Sequence, residues 1–167
     1  MLTVYLTCSL PTLYYNQIAP ITLSEFYEEA SSQLSIKNFE KLKQTDLQQV
    51  NARSLQARMN SFWELNESLK ADVAEIRKVR QSKQLPNVHT LPKSFADKNP
   101  LEREKSLLKI QWDALTDLEF GETFSFTGVL VYKLKLQILE RLASFDAKKG
   151  RLVLESIVNP AKEKEMV

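Results

Sequence analysis

The 167-residue sequence predicts an all-α fold, a helical bundle with an elongated helical hairpin or coiled-coil arm. Three observations lead there. Glycine is scarce, at 3 residues, too few for the turns of a sandwich or barrel. The stretch from Asp46 to Lys83 holds neither Pro nor Gly, and apolar residues recur along it at helical spacing. Helix-start signatures stand at Thr22-x-x-Glu25 and at Asn99-Pro100-Leu101-Glu102. In the first, a hydroxyl and a carboxylate each satisfy an orphan backbone amide; in the second, Pro occupies the first helical position, where its missing N–H costs nothing.

Taken in order, residues 1–10 alternate, with Leu2, Val4, Leu6, Cys8 and Leu10 on one parity, which is locally a strand signature. A strand needs a partner, and only Val129–Ile138 shares the pattern. That segment also carries a helical stripe of Leu130, Leu134, Ile138, Leu142 and Phe145 and runs on through strong helix formers. It is read as helix, which leaves residues 1–10 open between strand and helix. Thr22 starts a helix over residues 23–34 carrying Phe26, Tyr27, Ala30 and Leu34, and Ser35 or Asn38 caps a short turn through Leu42.

The arm follows, with Leu55, Met59, Phe62, Leu69, Val73 and Ile76 at spacings of three, four or seven. Unbroken, it extends about 55 Å at 1.5 Å per residue. Ser61-x-x-Glu64 is a further capping box, so a break near Asn60 is the alternative. Residues 84–98, with two prolines and no periodicity, form a linker. The next helix is expected to bury Leu101, Leu108, Leu115 and Leu118 beside Trp112 and to stop at Gly121. Ser125 or Thr127 caps the one after it, and a last helix fades by Asn159-Pro160. The division is thus a bundle from residues 1–45 and 99–158, an arm over 46–83, a linker over 84–98 and a frayed tail over 159–167.

Composition narrows the function classes. Hydrophobic residues make up 43% of the chain, too many for a disordered one. The 23 Lys and Arg against 21 Asp and Glu leave a net charge of +2, so nucleic-acid affinity would need a segregated patch. Cys8 has no partner for an internal disulfide, which points to a reducing compartment. No stretch approaches the roughly 20 apolar residues of a membrane span. The opening MLTVYLTCSLP lacks a basic region, so a cytoplasmic location is expected.

Reactive constellations are not evident. His89 is alone in the proline-containing segment, and one imidazole with a distant Cys8 cannot make a zinc site. Nothing orients His89 for nucleophilic catalysis, and no glycine-rich phosphate loop or CxxC is present. The pairs Glu28/Glu29 and Glu102/Glu104 suit helix first turns or solvated faces. No enzymatic activity, cofactor, metal or small-molecule substrate is expected.

The most distinctive feature is a set of basic residues at helical spacing on the second half of the arm: Lys70, Arg77, Lys78 and Arg80, with Arg53 and Arg58 upstream. One reading is a solvated coiled-coil face, since Glu67, Asp72 and Glu75 are interleaved. The other is a docking ridge for an acidic partner, with Lys70, Arg77 and Arg80 as the partner-binding residues. Protein suits this ridge better than nucleic acid, because acids alternate with the bases and no aromatic ladder accompanies them. Trp63 and Trp112 are expected in helix–helix seams.

Three stretches together carry a family resemblance. They are YLTCSLPTLYY followed by LSEFYEEASSQLS, then WELNESLKADVAEIRKVR with Lys70 and Arg77 seven residues apart, and then the run from Asn99 to Gly150. Together they resemble a small bacterial family associated with V/A-type ATP synthase genes. That family is itself similar to a shortened form of the V-type ATP synthase C-subunit (the d-subunit in eukaryotic naming). The chain departs from this larger relative in being shorter, in lacking a threefold repeat, and in carrying Lys70 where the family tends to show arginine. The resemblance implies a non-catalytic, all-helical structural or coupling component at the cytoplasmic face of a rotary ion-transport machine. Its partners would be protein subunits of the central stalk or the proteolipid ring, through which it would be peripheral to the membrane. A stand-alone coiled-coil adaptor or scaffold, and a helical nucleic-acid-binding module, are the alternatives.

Overall fold

The computed structural model describes residues 2–48, 56–82, 84–145 and 147–158. Among these residues seven α-helices run in order: α1 (Leu2–Ser9), α2 (Leu23–Gln33), α3 (Ile36–Gln44), α4 (Asn60–Ser82), α5 (Pro100–Glu119), α6 (Phe126–Ala143) and α7 (Ala147–Val158). Short 3-10 helices cover Ala57–Met59 and Lys93–Asp97. Among the described residues there is no strand, and the fold is an all-α helical bundle. The 159–167 tail, Arg53 and Leu55 lie outside the described residues.

Helix α6 is the axis of the bundle, packed by α1, α2, α3 and α5. Every position from Thr127 to Leu139 is buried except Tyr132 and Gln137. A helix enclosed on all sides needs apolar residues on every face, which is why its sequence also satisfies a strand's period of two. Leu142 and Phe145, at the end of its stripe, are only partly buried. Ser125 is the N-cap, its Oγ accepting from the Gly128 N–H at 3.3 Å. Gly128 itself is dictated by close approach: a Cβ there would lie 2.5 Å from the Glu122 carbonyl oxygen.

The strand-like opening is helical. Leu6 is the residue of α1 that enters the core, with its neighbours Tyr5 and Cys8 exposed. The Thr7 hydroxyl donates to the Thr3 carbonyl at 3.0 Å, the back-bond to the i−4 carbonyl that a Thr inside a helix can make. With no second strand among the described residues to complete a ladder, the backbone of α1 satisfies itself. Helix α2 begins with the capping box of Thr22 and Glu25, and α3 begins at Ser35, whose Oγ accepts from the Asn38 N–H. Phe26, Ala30 and Leu34 go into the core with Leu42 of α3.

The 46–83 stretch does not run as one helix. Residues 46–48 belong to the turn after α3, and the 3-10 helix at Ala57–Met59 leads into α4 at Asn60. Ser61 is therefore the exposed second residue of α4 and not the N-cap of a capping box. Helix α4 spans roughly 35 Å. Its start, with Met59, Phe62 and Trp63, belongs to the main core. Further along, Leu69 and Ile76 leave that core for a second one with Leu91 and Phe95, flanked by Leu107 and Ile110 of α5. Helices α4 and α5 thus form a hairpin with its own small core, and Leu91 and Phe95 from residues 84–98 pack within it.

Helix α5 starts with the expected capping box of Asn99 and Glu102, with Pro100 at its first position. Gly121 follows the helix with a φ of 78°, a conformation that suits glycine. Leu108, Trp112 and Leu115 are buried as expected and Leu118 partly so, but Leu101 is 45% exposed. Leu101 shares the face of Leu108, but it stands in the exposed first turn of α5. In α7 the aliphatic residues Leu152, Leu154, Ile157 and Val158 are exposed. No helix among the described residues is long and apolar enough to cross a membrane.

Candidate functional site

Where α4 leaves the main core and α5 continues toward the second one, a cleft of about 880 Å³ opens between α4, α5 and α6. Its floor is aliphatic, with Leu69, Val73 and Ala74 from α4 and Leu107 and Leu108 from α5. The far side is polar: Gln137, Glu140 and Arg141 from α6, with Asp46, Leu47 and Gln48 from the turn after α3.

Specific bonds hold the walls in place. Asn66 of α4 is 4% exposed, and its Oδ1 accepts from Gln111 Nε2 of α5 at 3.0 Å. The Asn66 Nδ2 is buried without a hydrogen-bond partner among the described residues. Gln137 works in both directions: its Oε1 accepts from the Leu47 N–H at 3.1 Å, and its Nε2 donates to Asp46 Oδ2 at 3.0 Å. Arg141 Nε lies 3.2 Å from Glu104 Oε1, and Glu140 accepts from the Leu23 N–H at 3.1 Å.

Of the three residues expected to bind a partner, Lys70 and Arg77 line this cleft side by side on α4. Both are exposed, and neither makes a hydrogen bond or ion pair with a described residue. Arg80 is exposed too, but it does not line the cleft. The spacing of seven keeps Lys70 and Arg77 on one face; Arg80 is only about 60° further round but lies in the last turn of α4, past the residues that line the cleft. Arg58 is spent elsewhere, 2.5 Å from Glu122.

Sequence reasoning missed the polar residues that fix the walls. Asp72, treated as an interleaved surface acid, is only 4% exposed. Its carboxylate accepts from the N–H groups of His89 at 3.2 Å, Thr90 at 2.7 Å and Leu91 at 2.9 Å, pinning residues 89–91 against α4. Burial alone would raise its carboxyl pKa, but these three amides, helped by His89, hold it below the ordinary carboxylate range. The signal was present, since Leu65, Leu69, Asp72, Ile76 and Val79 form one helical stripe and Phe62, Asn66, Leu69, Val73 and Ile76 another. A polar residue inside an apolar stripe marks a buried hydrogen-bonded group.

Two lysines of α6 behave likewise. Lys133 is 1% exposed, and its Nζ donates to the carbonyls of Leu42 at 2.7 Å, Lys43 at 3.3 Å and Thr45, closing the C-terminal end of α3. Burial lowers its pKa to about 8 against the pull of Asp46. Lys135 pairs with Glu119 and sits 5.1 Å from the Trp112 ring centroid. His89 and Cys8 are exposed and far apart in sequence, and no group of three metal-ligating side chains occurs among the described residues.

Fold and cleft together define an all-α helical bundle with a hairpin of two helices and a cleft beside it whose lining balances three cations, Lys70, Arg77 and Arg141, against three carboxylates, Asp46, Glu104 and Glu140. Residues 72–165 match a family described as Protein of unknown function (DUF2764). The match covers more than half of the chain, and the chain belongs to that family. It takes in Arg77, Arg80 and the α5 and α6 walls of the cleft. Comparison with curated proteins and with solved structures finds no match.

Proposed function

We propose that this protein is a non-catalytic structural or coupling component associated with a V-type rotary ATP synthase, joining the central stalk and the membrane ring by protein–protein contacts on the cytoplasmic side. The observation that carries the reading is the pair of cations, Lys70 and Arg77, unpaired among the described residues and set beside the aliphatic floor of the α4–α5–α6 cleft. Both lie in the stretch WELNESLKADVAEIRKVR that resembles the family associated with V/A-type ATP synthase genes.

The physics suits the role. A helical surface of this kind transmits force or fixes geometry through packed contact. An aliphatic floor supplies the area that an incoming helix would bury, at about 25 cal/mol per Å² removed from water. The two cations then select an acidic partner, adding specificity and association rate more than affinity.

Purification of the assembled machine through a tagged copy of this protein tests the reading. Stalk or ring subunits should be recovered with it; their consistent absence rejects the proposal. The exposed aliphatic residues of α7 favour one rival, a stand-alone adaptor that associates with itself. Stable self-association without ATPase subunits would support that rival.

A further inference from the structure

Helix α5 has two working faces. Glu104, Leu107, Leu108 and Gln111 line the cleft, while Lys105, Ser106, Lys109 and Ile110 line a separate groove of about 550 Å³. At roughly 100° per residue these two sets lie on opposite sides of the helix. The groove's accessible apolar lining is Pro92 and Ile110, Phe95 being buried, its cations are Lys98, Lys105 and Lys109, and among the described residues no carboxylate lines it.

We infer that this groove is a second docking surface, which takes an acidic segment of a partner protein carrying an apolar anchor side chain. Charge complementarity supplies the argument. Lys98 Nζ is fixed by a 2.7 Å bond to Ser106 Oγ, and the exposed Lys105 ammonium makes no bond with a described residue. Lys109 pairs with Asp113 and lies 5.1 Å from the Tyr15 ring centroid, so it is positioned but partly compensated. Two further acids share this side of α5 without lining the groove: Glu102, hydrogen-bonded in the Asn99 capping box, and the exposed Asp117. The groove's own lining is therefore cationic beside an apolar surface.

Nucleic acid fits this surface less well. Three cations would neutralise few phosphates, and Phe95, at 1% exposed, offers no ring face for a base to stack on. A partner here and another in the cleft would sit on either side of one helix, so that α5 could bridge them. The inference does not depend on the reading of the cleft, since the two surfaces share no lining residue.

The test uses the full-length protein and a fluorescent synthetic amphipathic peptide of Glu and Leu, with a Lys/Leu peptide and single-stranded oligouridine as comparators. The Glu/Leu peptide should bind saturably and weaken as salt rises. Its amide chemical-shift changes should fall on residues 90–98 and 105–110. The pair Lys105→Glu and Lys109→Glu should weaken binding read at residues 90–98 and 105–110 about tenfold, whereas Lys70→Glu with Arg77→Glu should leave the shift changes on those groove residues unchanged. Lys105→Glu alone, at an exposed position, keeps the test valid should the Lys109 change disturb packing on Tyr15. No saturable binding, binding indifferent to these lysines, shifts confined to the cleft, tighter binding of oligouridine, or a second copy of the chain occupying the groove would each overturn the inference.

Discussion

Arg141 Nε lies 3.2 Å from Glu104 Oε1, so that α6 and α5 neutralise each other's charge across the cleft. The consequence is felt on the opposite wall. With Glu104 engaged by Arg141 and Glu140 bonded to the Leu23 N–H, Lys70 and Arg77 face the cleft without a partnering carboxylate among the described residues. The cations left without a partner among the described residues sit on α4, facing Asp46 and Glu140, which are bonded only to neutral N–H groups and keep their negative charge.

Reversing that charge should separate binding from folding. Lys70→Glu with Arg77→Glu alters exposed side chains and should change stability by no more than about 0.5 kcal/mol. Recovery of partner subunits through the tagged protein should nonetheless fall about tenfold or more, as expected when a complementary charge is inverted. Arg80→Glu, outside the cleft, should leave recovery unchanged. Thermal denaturation and quantitative co-purification of the three proteins measure both effects. Equal losses for Arg80→Glu would mean that the whole basic ridge, and not the cleft, is in use.

Asp72→Asn tests the clamp on the hairpin. The variant keeps the shape but loses the charge that three backbone amides point toward, and should cost about 1.5–3 kcal/mol by urea denaturation at neutral pH. Because the folded carboxyl titrates below its unfolded value, the stabilisation is present above the ordinary carboxylate range and is lost as pH falls through the folded value. The difference between wild type and variant should shrink in acid. A constant difference would show that the charge of Asp72 is not what holds residues 89–91.

Lys133 and Tyr132 give opposite dependences at alkaline pH. Burial takes Lys133 down to about 8 from 10.5, so between those values the unfolded chain holds more protons and this residue makes stability rise with pH. Burial takes Tyr132 up to about 12 from 10.0, so its contribution is present below 10 and lost as pH rises toward 12. Lys133→Met should remove the rising component and, by leaving the carbonyls of Leu42 and Thr45 without their donor, destabilise the fold by about 1–3 kcal/mol near neutrality. Tyr132→Phe should remove the falling component. Denaturation across this pH range reads both slopes.

Gly128→Ala should destabilise the bundle by about 1–3 kcal/mol, the range for overpacking a close contact. The added methyl would meet the carbonyl oxygens of Glu122 at 2.5 Å and Thr123 at 2.8 Å, both of them backbone atoms. An unchanged melting temperature would mean that the 122–125 turn yields freely.

Much of this architecture was legible before the fold. The caps at Thr22 and Asn99 depend only on neighbours within one turn, so local chemistry sufficed to find them. The pair Lys70 and Arg77 was legible from its heptad spacing, though the cleft beside it was not, because its other walls come from residues 104–111 and 137–141, remote in sequence. Residues 1–10 were ambiguous for the same reason: whether a strand has a partner depends on residues remote in sequence, and among the described residues none is a strand. Leu101 misled because periodicity reports which face a residue occupies and not whether that face is covered in the first turn of the helix. Asp72 and Asn66 could have been found, since each interrupts an apolar stripe with a side chain that must be satisfied where it is buried.

The central claim, that the α4–α5–α6 cleft seats a protein partner, is tested most directly by photo-crosslinking from within it. Ala74 is exposed and lines the cleft, so a benzophenone side chain placed there in the cell would react with whatever occupies the site. Mass spectrometry of the adducts should identify acidic segments of stalk or ring subunits, and the adducts should disappear when Lys70 and Arg77 are both changed to Glu. Adducts to this chain alone, to nucleic acid, or to nothing beyond the background of a surface position outside the cleft would contradict it.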